Sequence, residues 1–151
     1  MKNAIPLATA FVAVMLVSGC ANRQPSSAEI RIQSTPAPGA LAVGSTPAPF
    51  CLHIRYANAY EFGVMTHNDA QAWVMDGDCA TAGARRAVAA IDLRWRYQYD
   101  STGSQGCVAT DSCAIADRNY GEGRRLACVA ATARDPGWVA SGSTDWHACA
   151  R

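Results

Sequence analysis

The chain has 151 residues, a length that allows one domain or one small domain with a tail. Its 13 Lys and Arg residues nearly balance its 12 Asp and Glu residues. A nucleic-acid surface needs an excess of basic side chains to neutralise phosphates, so this balance leads us to expect no nucleic-acid partner.

The N-terminus has the pattern of a secretory signal peptide. Lys2 supplies a basic start, and residues 4–17 form an apolar run that ends at the small residues Ser18 and Gly19. A membrane-spanning helix needs about 20 apolar residues, more than this run contains, and a buried helix would show an amphipathic period. We therefore predict that residues 1–19 are a signal peptide that is removed.

The sequence LVSGC, residues 16–20, resembles the lipobox of bacterial lipoproteins. The resemblance covers residues 1–21. It implies a diacylglyceryl group on the Cys20 thiol, cleavage before Cys20, and acylation of the new amino group with a chain such as palmitate. Several acyl chains anchor a protein stably, whereas one binds only marginally. Because Ala21 rather than an aspartate follows, the resemblance implies the outer membrane, facing the periplasm. A disulfide-forming Cys20 in an ordinary secreted protein is the alternative.

The segment after the lipobox is rich in Ser, Thr, Pro and Ala. The sequence STPAP occurs in it twice, at 34–38 and 45–49. Such segments have too little apolar bulk to offset the entropy lost on ordering, so residues 20–49 are predicted to be a lipidated cysteine followed by a disordered tether. Within it, EIRIQ (29–33) alternates and could add a strand to a sheet edge.

The folded domain is predicted to span residues 50–151, which hold six of the seven cysteines. An even number of cysteines in an oxidising periplasm indicates three disulfides, for which fifteen connectivities are possible. Sequence alone does not choose among them; we take one set of pairs as the working hypothesis, with a Cys51–Cys149 bridge between the domain ends as the main rival. The favoured pairs are Cys51–Cys79, Cys107–Cys113 and Cys128–Cys149.

The first half of this domain is predicted to be a strand meander. Residues 50–56 and 60–65 have strand composition, and residues 70–75 could close a hairpin across THND (66–69). DGDC (76–79) is predicted to be a turn.

The second half contains the clearest periodicity. Alanine-rich residues 80–90 favour a short helix, and residues 91–99 alternate apolar and polar side chains as a half-buried antiparallel strand does. STGSQG (101–106) is expected to end that strand, and residues 125–133 and 137–142 form a hairpin across an Asp-Pro-Gly turn. The predicted fold class is therefore α+β, a small disulfide-stabilised domain dominated by antiparallel sheet with one short helix.

Arg94 and Arg96 are the candidate binding surface, since arginine forks bind carboxylates and the neighbouring aromatic residues could stack on sugars. Strand alternation places the arginines opposite to Trp95 and Tyr97, so the two sets cannot share a pocket. The alternative interpretation is a core strand with solvated arginines.

Motifs for other chemistry are weak. Asp145 and His147 would share a strand face as an acid/base pair, and DGD (76–78) resembles the start of a calcium loop without its later ligands. The chain has no CxxC pair and no recognisable histidine ligand set. We therefore expect no catalytic residue, no metal site and no cofactor.

The loop CVATDSC (107–113) would be a small disulfide-closed loop, either a rigid element that inserts into a partner or a plain stapled turn. Together, these features favour a non-enzymatic envelope lipoprotein. Its membrane contact would be the N-terminal lipid, and its stapled domain would bind an unknown protein as an inhibitor, immunity or exclusion factor. The alternatives are a structural component of an envelope or secretion apparatus, or a peptidoglycan-binding or hydrolytic domain.

Overall fold

The computed structural model describes residues 27–39, 48–61, 64–81, 83–98, 101–117, 125–145 and 149. Nine strands lie within this part of the chain, and every pairing between them is antiparallel. The strands are β1 (Ser27–Gln33), β2 (Thr35–Pro36), β3 (Phe50–Glu61), β4 (Val64–Asp76), β5 (Val88–Tyr97), β6 (Thr102–Thr110), β7 (Ser112–Asp117), β8 (Leu126–Asp135) and β9 (Trp138–Ser143).

The strands form a four-stranded sheet of order β1-β3-β4-β7 and a five-stranded sheet of order β2-β9-β8-β5-β6. The chain crosses between the sheets at Ser34, which separates β1 from β2, and at Asp111, which separates β6 from β7. Ser34 is buried, and both its N–H and its Oγ bond the backbone of Phe50, at 2.9 and 2.8 Å. This corner therefore ties both sheets to the start of β3.

The core lies between the sheets and is built from alternating positions of the strands. The buried side chains of the four-stranded sheet include Leu52 and Ile54, and those of the five-stranded sheet include Leu93 and Val129. Asn58 is the polar link across this core, since its amide accepts from Leu126 N at 2.9 Å and donates to Leu126 O at 3.2 Å. The Asn58 amide thus satisfies both the N–H and the C=O group of Leu126, as the backbone of a neighbouring strand would.

The predicted α+β class is wrong, because the described part of the chain is nearly all β. The helix expected at residues 80–90 is absent there. Asp78 Oδ1 instead accepts from the backbone N–H groups of Ala80 and Thr81, at 2.9 and 2.8 Å, and β5 begins at Val88. The alanine propensity for helix is overridden by the Cys51–Cys79 disulfide and by the strand pairing on either side.

Two further strand boundaries also differ from the sequence prediction. The hairpin expected across THND (66–69) is wrong, because these residues lie inside β4, which pairs along its length with β3. STGSQG (101–106) does not end the sheet, because β6 begins at Thr102 and pairs with β5. The strand predicted at 91–99 is confirmed as far as Tyr97, where β5 ends. The hairpin across Asp-Pro-Gly is confirmed, with Gly137 at φ 81° in its turn.

Part of the expected tether belongs to the fold. β1 pairs with β3 along its whole length, and β2 pairs with β9, so the folded unit includes residues 27–36. The isoleucines of EIRIQ explain this, because Ile30 and Ile32 pack against the core. The short alternating sequence supplies enough apolar area to dock as an edge strand.

The signal peptide and the lipobox lie outside the described residues. Within the described residues, no helix has the length and apolar character needed to span a bilayer.

Candidate binding surface

The candidate site is the outer face of the five-stranded sheet, the face that points away from the core. On β5 this face carries Asp92, Arg94 and Arg96, because Ile91, Leu93 and Tyr97 alternate with them and are buried. The strand register places small residues beside these positions. The outer-face neighbours of β5 are Thr102, Ser104 and Gly106 on β6 and Cys128, Ala130 and Thr132 on β8.

A groove of about 820 Å³ crosses this face. Its described lining combines the two arginines with hydroxyl, alanine and backbone groups and with Trp95. Cys149 also lines it, and the disulfide to Cys128 holds Cys149 against the sheet at one end. A smaller depression of about 320 Å³ continues from it and shares Arg94, Ala130 and Ser141. The two together form one trough, which exists because most side chains that line it on β6, β8 and β9 are short, Arg134 being the exception.

Some charged side chains in the trough form ion pairs with each other, and within the described part of the chain Arg94 does not. Asp92 forms an ion pair with Arg134, and both side chains are largely exposed. Arg94 is exposed, and among the described residues none forms an ion pair with it. Arg96 is half-buried at the closed end of the groove. The trough therefore carries a net positive charge on its described residues.

Trp95 is partly buried, packs against the core and lies over Gly103. It nevertheless lines the groove together with Arg94 and Arg96, contrary to the prediction that arginines and aromatics cannot share a pocket. A Cβ at Gly103 would come within 2.3 Å of the indole ring, so a glycine is needed at this position. The arginines are thus directed outward by the packing of the residue between them. The candidate surface of Arg94 and Arg96 is placed by the structure in one groove.

The far end of this face carries an exposed apolar residue. Val108 of β6 lies opposite Ala90 of β5, and 78% of its surface is accessible. It belongs to the predicted loop 107–113, which the Cys107–Cys113 disulfide closes. Ala109 has a φ of 48°, a left-handed conformation that is unfavourable for alanine, and Val74 N donates to Asp111 O at 2.9 Å to hold the loop against β4.

The prediction of three disulfides is confirmed, with the pairs placed first in the sequence analysis. The Cα–Cα distances are 4.9 Å for Cys51–Cys79, 5.7 Å for Cys107–Cys113 and 5.6 Å for Cys128–Cys149. Cys51 and Cys128 each lie on the outer face of their sheet, so each of these two bridges fastens a non-strand segment to a sheet surface.

The weaker motifs are placed only in part. His147 lies outside the described residues, so the proposed pairing with Asp145 is not placed. Asp76 forms an ion pair with Arg86 at 3.2 Å, and hydrogen bonds from Ala80 and Thr81 hold the pKa of Asp78 below its usual value. Both carboxylates of the DGD turn therefore have structural partners. Among the described residues, no group of three or more His, Cys, Asp or Glu side chains could hold a metal ion.

A cluster that the sequence analysis missed lies on the outer face of the four-stranded sheet. The His53 and Trp73 rings stack with centroids 4.9 Å apart, and the Arg85 guanidinium lies 5.2 Å from the Trp73 ring. His53 Nδ1 is 3.6 Å from a carboxylate oxygen of Glu29. Burial and the nearby Arg31 and Arg85 lower the pKa of His53, although Glu29 opposes them. The residues are far apart in sequence, and only the register of β1, β3 and β4 brings them together.

Comparison of the chain with protein-family models, with curated proteins and with solved structures finds no match.

Proposed function

We propose that this chain is a lipid-anchored, non-enzymatic protein of the cell envelope, and that it binds a protein partner through the outer face of its five-stranded sheet. An inhibitor, immunity or exclusion factor fits this description. The observation that carries the proposal is the groove of about 820 Å³ lined by Arg94 and Arg96.

The groove suits a macromolecular partner because its floor is rigid and its side chains are short. Sheet hydrogen bonds hold the backbone, and the Cys128–Cys149 disulfide fixes one end. A preformed surface loses little entropy on binding, and short side chains allow close approach to the sheet. The guanidinium, hydroxyl and backbone groups of the described lining recognise a partner by charge and hydrogen bonding.

The anchor is supported by the lipobox at residues 16–20 and by the odd number of cysteines, since the three disulfides leave Cys20 as the cysteine available for lipid. Intact mass spectrometry of membrane-extracted protein tests this directly. We expect a chain that starts at Cys20, carries acyl mass and has six oxidised thiols. A Cys20→Ala variant should lack the acyl mass, and a mature chain of any other start would refute the anchor.

Site-specific photo-crosslinking in living cells tests the binding face. A photo-reactive phenylalanine derivative is placed at Ser104 or Ser141 in the groove, with Gln71 on the outer face of the four-stranded sheet as the matched control position. We expect one discrete protein adduct from both groove positions and none from Gln71. The proposal fails if the groove positions give no adduct, or if Gln71 gives the same one.

A further inference from the structure

We propose that the groove binds an extended acidic segment of the partner protein, in which alternate residues are carboxylates and one of them pairs with Arg94. This inference rests on the function proposed above and names the chemistry of the partner.

The spacing of the two arginines matches that of an extended peptide. Arg94 and Arg96 are two residues apart on β5 and point to the same side. Because a strand rises about 3.3 Å per residue, their backbone attachment points are about 7 Å apart. Side chains at alternate positions of any extended ligand repeat at the same distance. A segment of the form acid-x-acid therefore presents its carboxylates at the spacing of the two arginines, so that one can pair with Arg94 while the other lies toward Arg96.

The charge of the trough selects a carboxylate. Asp92 is compensated by Arg134, whereas no described residue forms an ion pair with Arg94. An arginine binds a carboxylate through two parallel charge-assisted hydrogen bonds. The hydroxyl groups of Ser104 and Ser141, which also line the groove, can bond the backbone of a bound segment.

The length and mixed character of this outer sheet face favour a peptide over a phosphate surface. On β5, the outer-face positions run from Ala90 to Arg96 and span about 20 Å. A peptide of seven residues in extended conformation has the same length between its first and last Cα atoms. Arg94 and Arg96 lie toward one end of this face. At the other end, beyond the residues that line the groove, the exposed Val108 lies opposite Ala90, and Arg134 with its partner Asp92 lies on the other side of β5. A peptide can carry carboxylates at one end and an apolar side chain at the other. An anionic lipid surface offers charge alone.

Fluorescence anisotropy with designed peptides tests the inference on the full chain in detergent. The probe is a fluorescein-labelled peptide ESESTSL, together with its reversed sequence because the strand direction is open, and the matched peptide QSQSTSL is the uncharged control. We expect one of the two acidic peptides to bind at least about tenfold more tightly than the control, the factor that corresponds to about 1.4 kcal/mol.

Variants assign that difference to Arg94. The Arg94→Gln variant should lose about tenfold in affinity for the acidic peptide and nothing for QSQSTSL, and Arg94→Lys should fall between them because an ammonium cannot form the fork. The control is Arg55→Gln, which removes an equally exposed arginine from the outer face of the four-stranded sheet and should leave binding unchanged. Equal near-ultraviolet circular dichroism of the three variants shows that the fold is retained.

The inference is overturned if acidic and control peptides bind alike, or if Arg94→Gln and Arg55→Gln have the same effect. It is also overturned if phosphatidylglycerol vesicles bind in an Arg94-dependent way and the peptides do not. The crosslinking experiment separates the two proposals. If Ser104 and Ser141 give an adduct but the acidic peptides bind no better than the control, the acidic-segment proposal is refuted and the proposal of protein binding stands. If neither position gives an adduct, the proposal of protein binding is itself refuted.

Discussion

The outer faces of the two sheets differ in the size of their side chains. On the four-stranded sheet, Trp73 stacks on His53 at 4.9 Å and lies under Arg85, so large groups cover the strands. On the five-stranded sheet, the corresponding layer is made largely of alanine, serine and threonine, and a groove remains. Because both sheets contribute buried strands to one core, the difference shows that outer side chains alone can decide whether a sheet surface is covered or open.

The covered face and the open face should therefore respond differently to substitution. Side chains of the covered face contact one another, so their loss should lower stability. Side chains at the open face have few contacts in the chain itself, so their loss should change binding and leave stability almost unaffected.

The largest effect is expected inside the sandwich, where the two sheets should behave alike. Leu52→Ala in β3 and Leu93→Ala in β5 each remove a fully buried side chain, and each should lower the free energy of unfolding by about 2–5 kcal/mol. Urea denaturation of both variants measures this. If the free energy of unfolding fell only slightly in one of the two variants, the sheets would differ in their inner faces as well as in their outer faces.

The next effect concerns the disulfides that fasten a segment to each outer face. The bridges Cys51–Cys79 and Cys128–Cys149 have sequence separations of 28 and 21. Chain-entropy arguments give about 3 kcal/mol of stability for loops of this length. Replacing both cysteines of either pair by alanine should therefore cause a similar loss in urea denaturation.

Binding should separate the two pairs. Removal of Cys128–Cys149 opens the closed end of the groove and should weaken crosslinking at Ser141, whereas removal of Cys51–Cys79 should not. Equal crosslinking in both double variants would mean that the C-terminal segment does not shape the site.

The third effect compares single side chains on the two outer faces. Trp73→Ala removes the ring that stacks on His53 and receives the Arg85 cation, and it should destabilise the chain by about 1–2 kcal/mol. Arg94→Ala should change the free energy of unfolding by less than about 0.5 kcal/mol. Thermal unfolding of the two variants measures the difference. A destabilisation by Arg94→Ala as large as that of Trp73→Ala would indicate a structural role for the arginine.

Several elements of this architecture were predictable from local patterns. The alternation from Ile91 to Tyr97 predicts β5, because one apolar face must be buried along the strand. The Asp-Pro-Gly turn predicts the β8–β9 hairpin. The even number of cysteines after Cys20 indicates three disulfides.

Other elements depend on partners that lie far away in the sequence. Residues 80–90 have helical composition, yet the described residues among them are extended or in turns. Arg86 pairs with the distant Asp135, and the local hydrogen bonds from Ala80 and Thr81 to Asp78 form a turn at the start of the segment. Glycine-rich β6 has no strand periodicity of its own and exists because it pairs with β5. The groove was beyond prediction for the same reason. Arg94 could be identified as outward-facing, but only the register places Ala130 and Ser104 beside it.

The smallest predicted effect is a pH dependence confined to the covered face. Burial, together with Arg31 and Arg85, lowers the pKa of His53 in the folded chain below its ordinary value near 6.5, and Glu29 opposes this shift. Between the lowered pKa and 6.5 the unfolded chain binds more protons than the folded chain. This contribution to stability is therefore complete above about pH 6.5 and is lost as the pH falls through that interval.

A His53→Gln variant should show a smaller loss of stability between pH 7.5 and pH 5 than the unmodified chain, measured by urea denaturation at both values. Arg94→Gln is the matched control from the open face and should keep the full loss, because His53 and its neighbours are unchanged. Identical slopes for all three chains would mean that the charge of Glu29, 3.6 Å from the ring, offsets the burial of His53 completely. The His53 cluster would then stabilise the covered face by stacking alone, with no contribution from protonation.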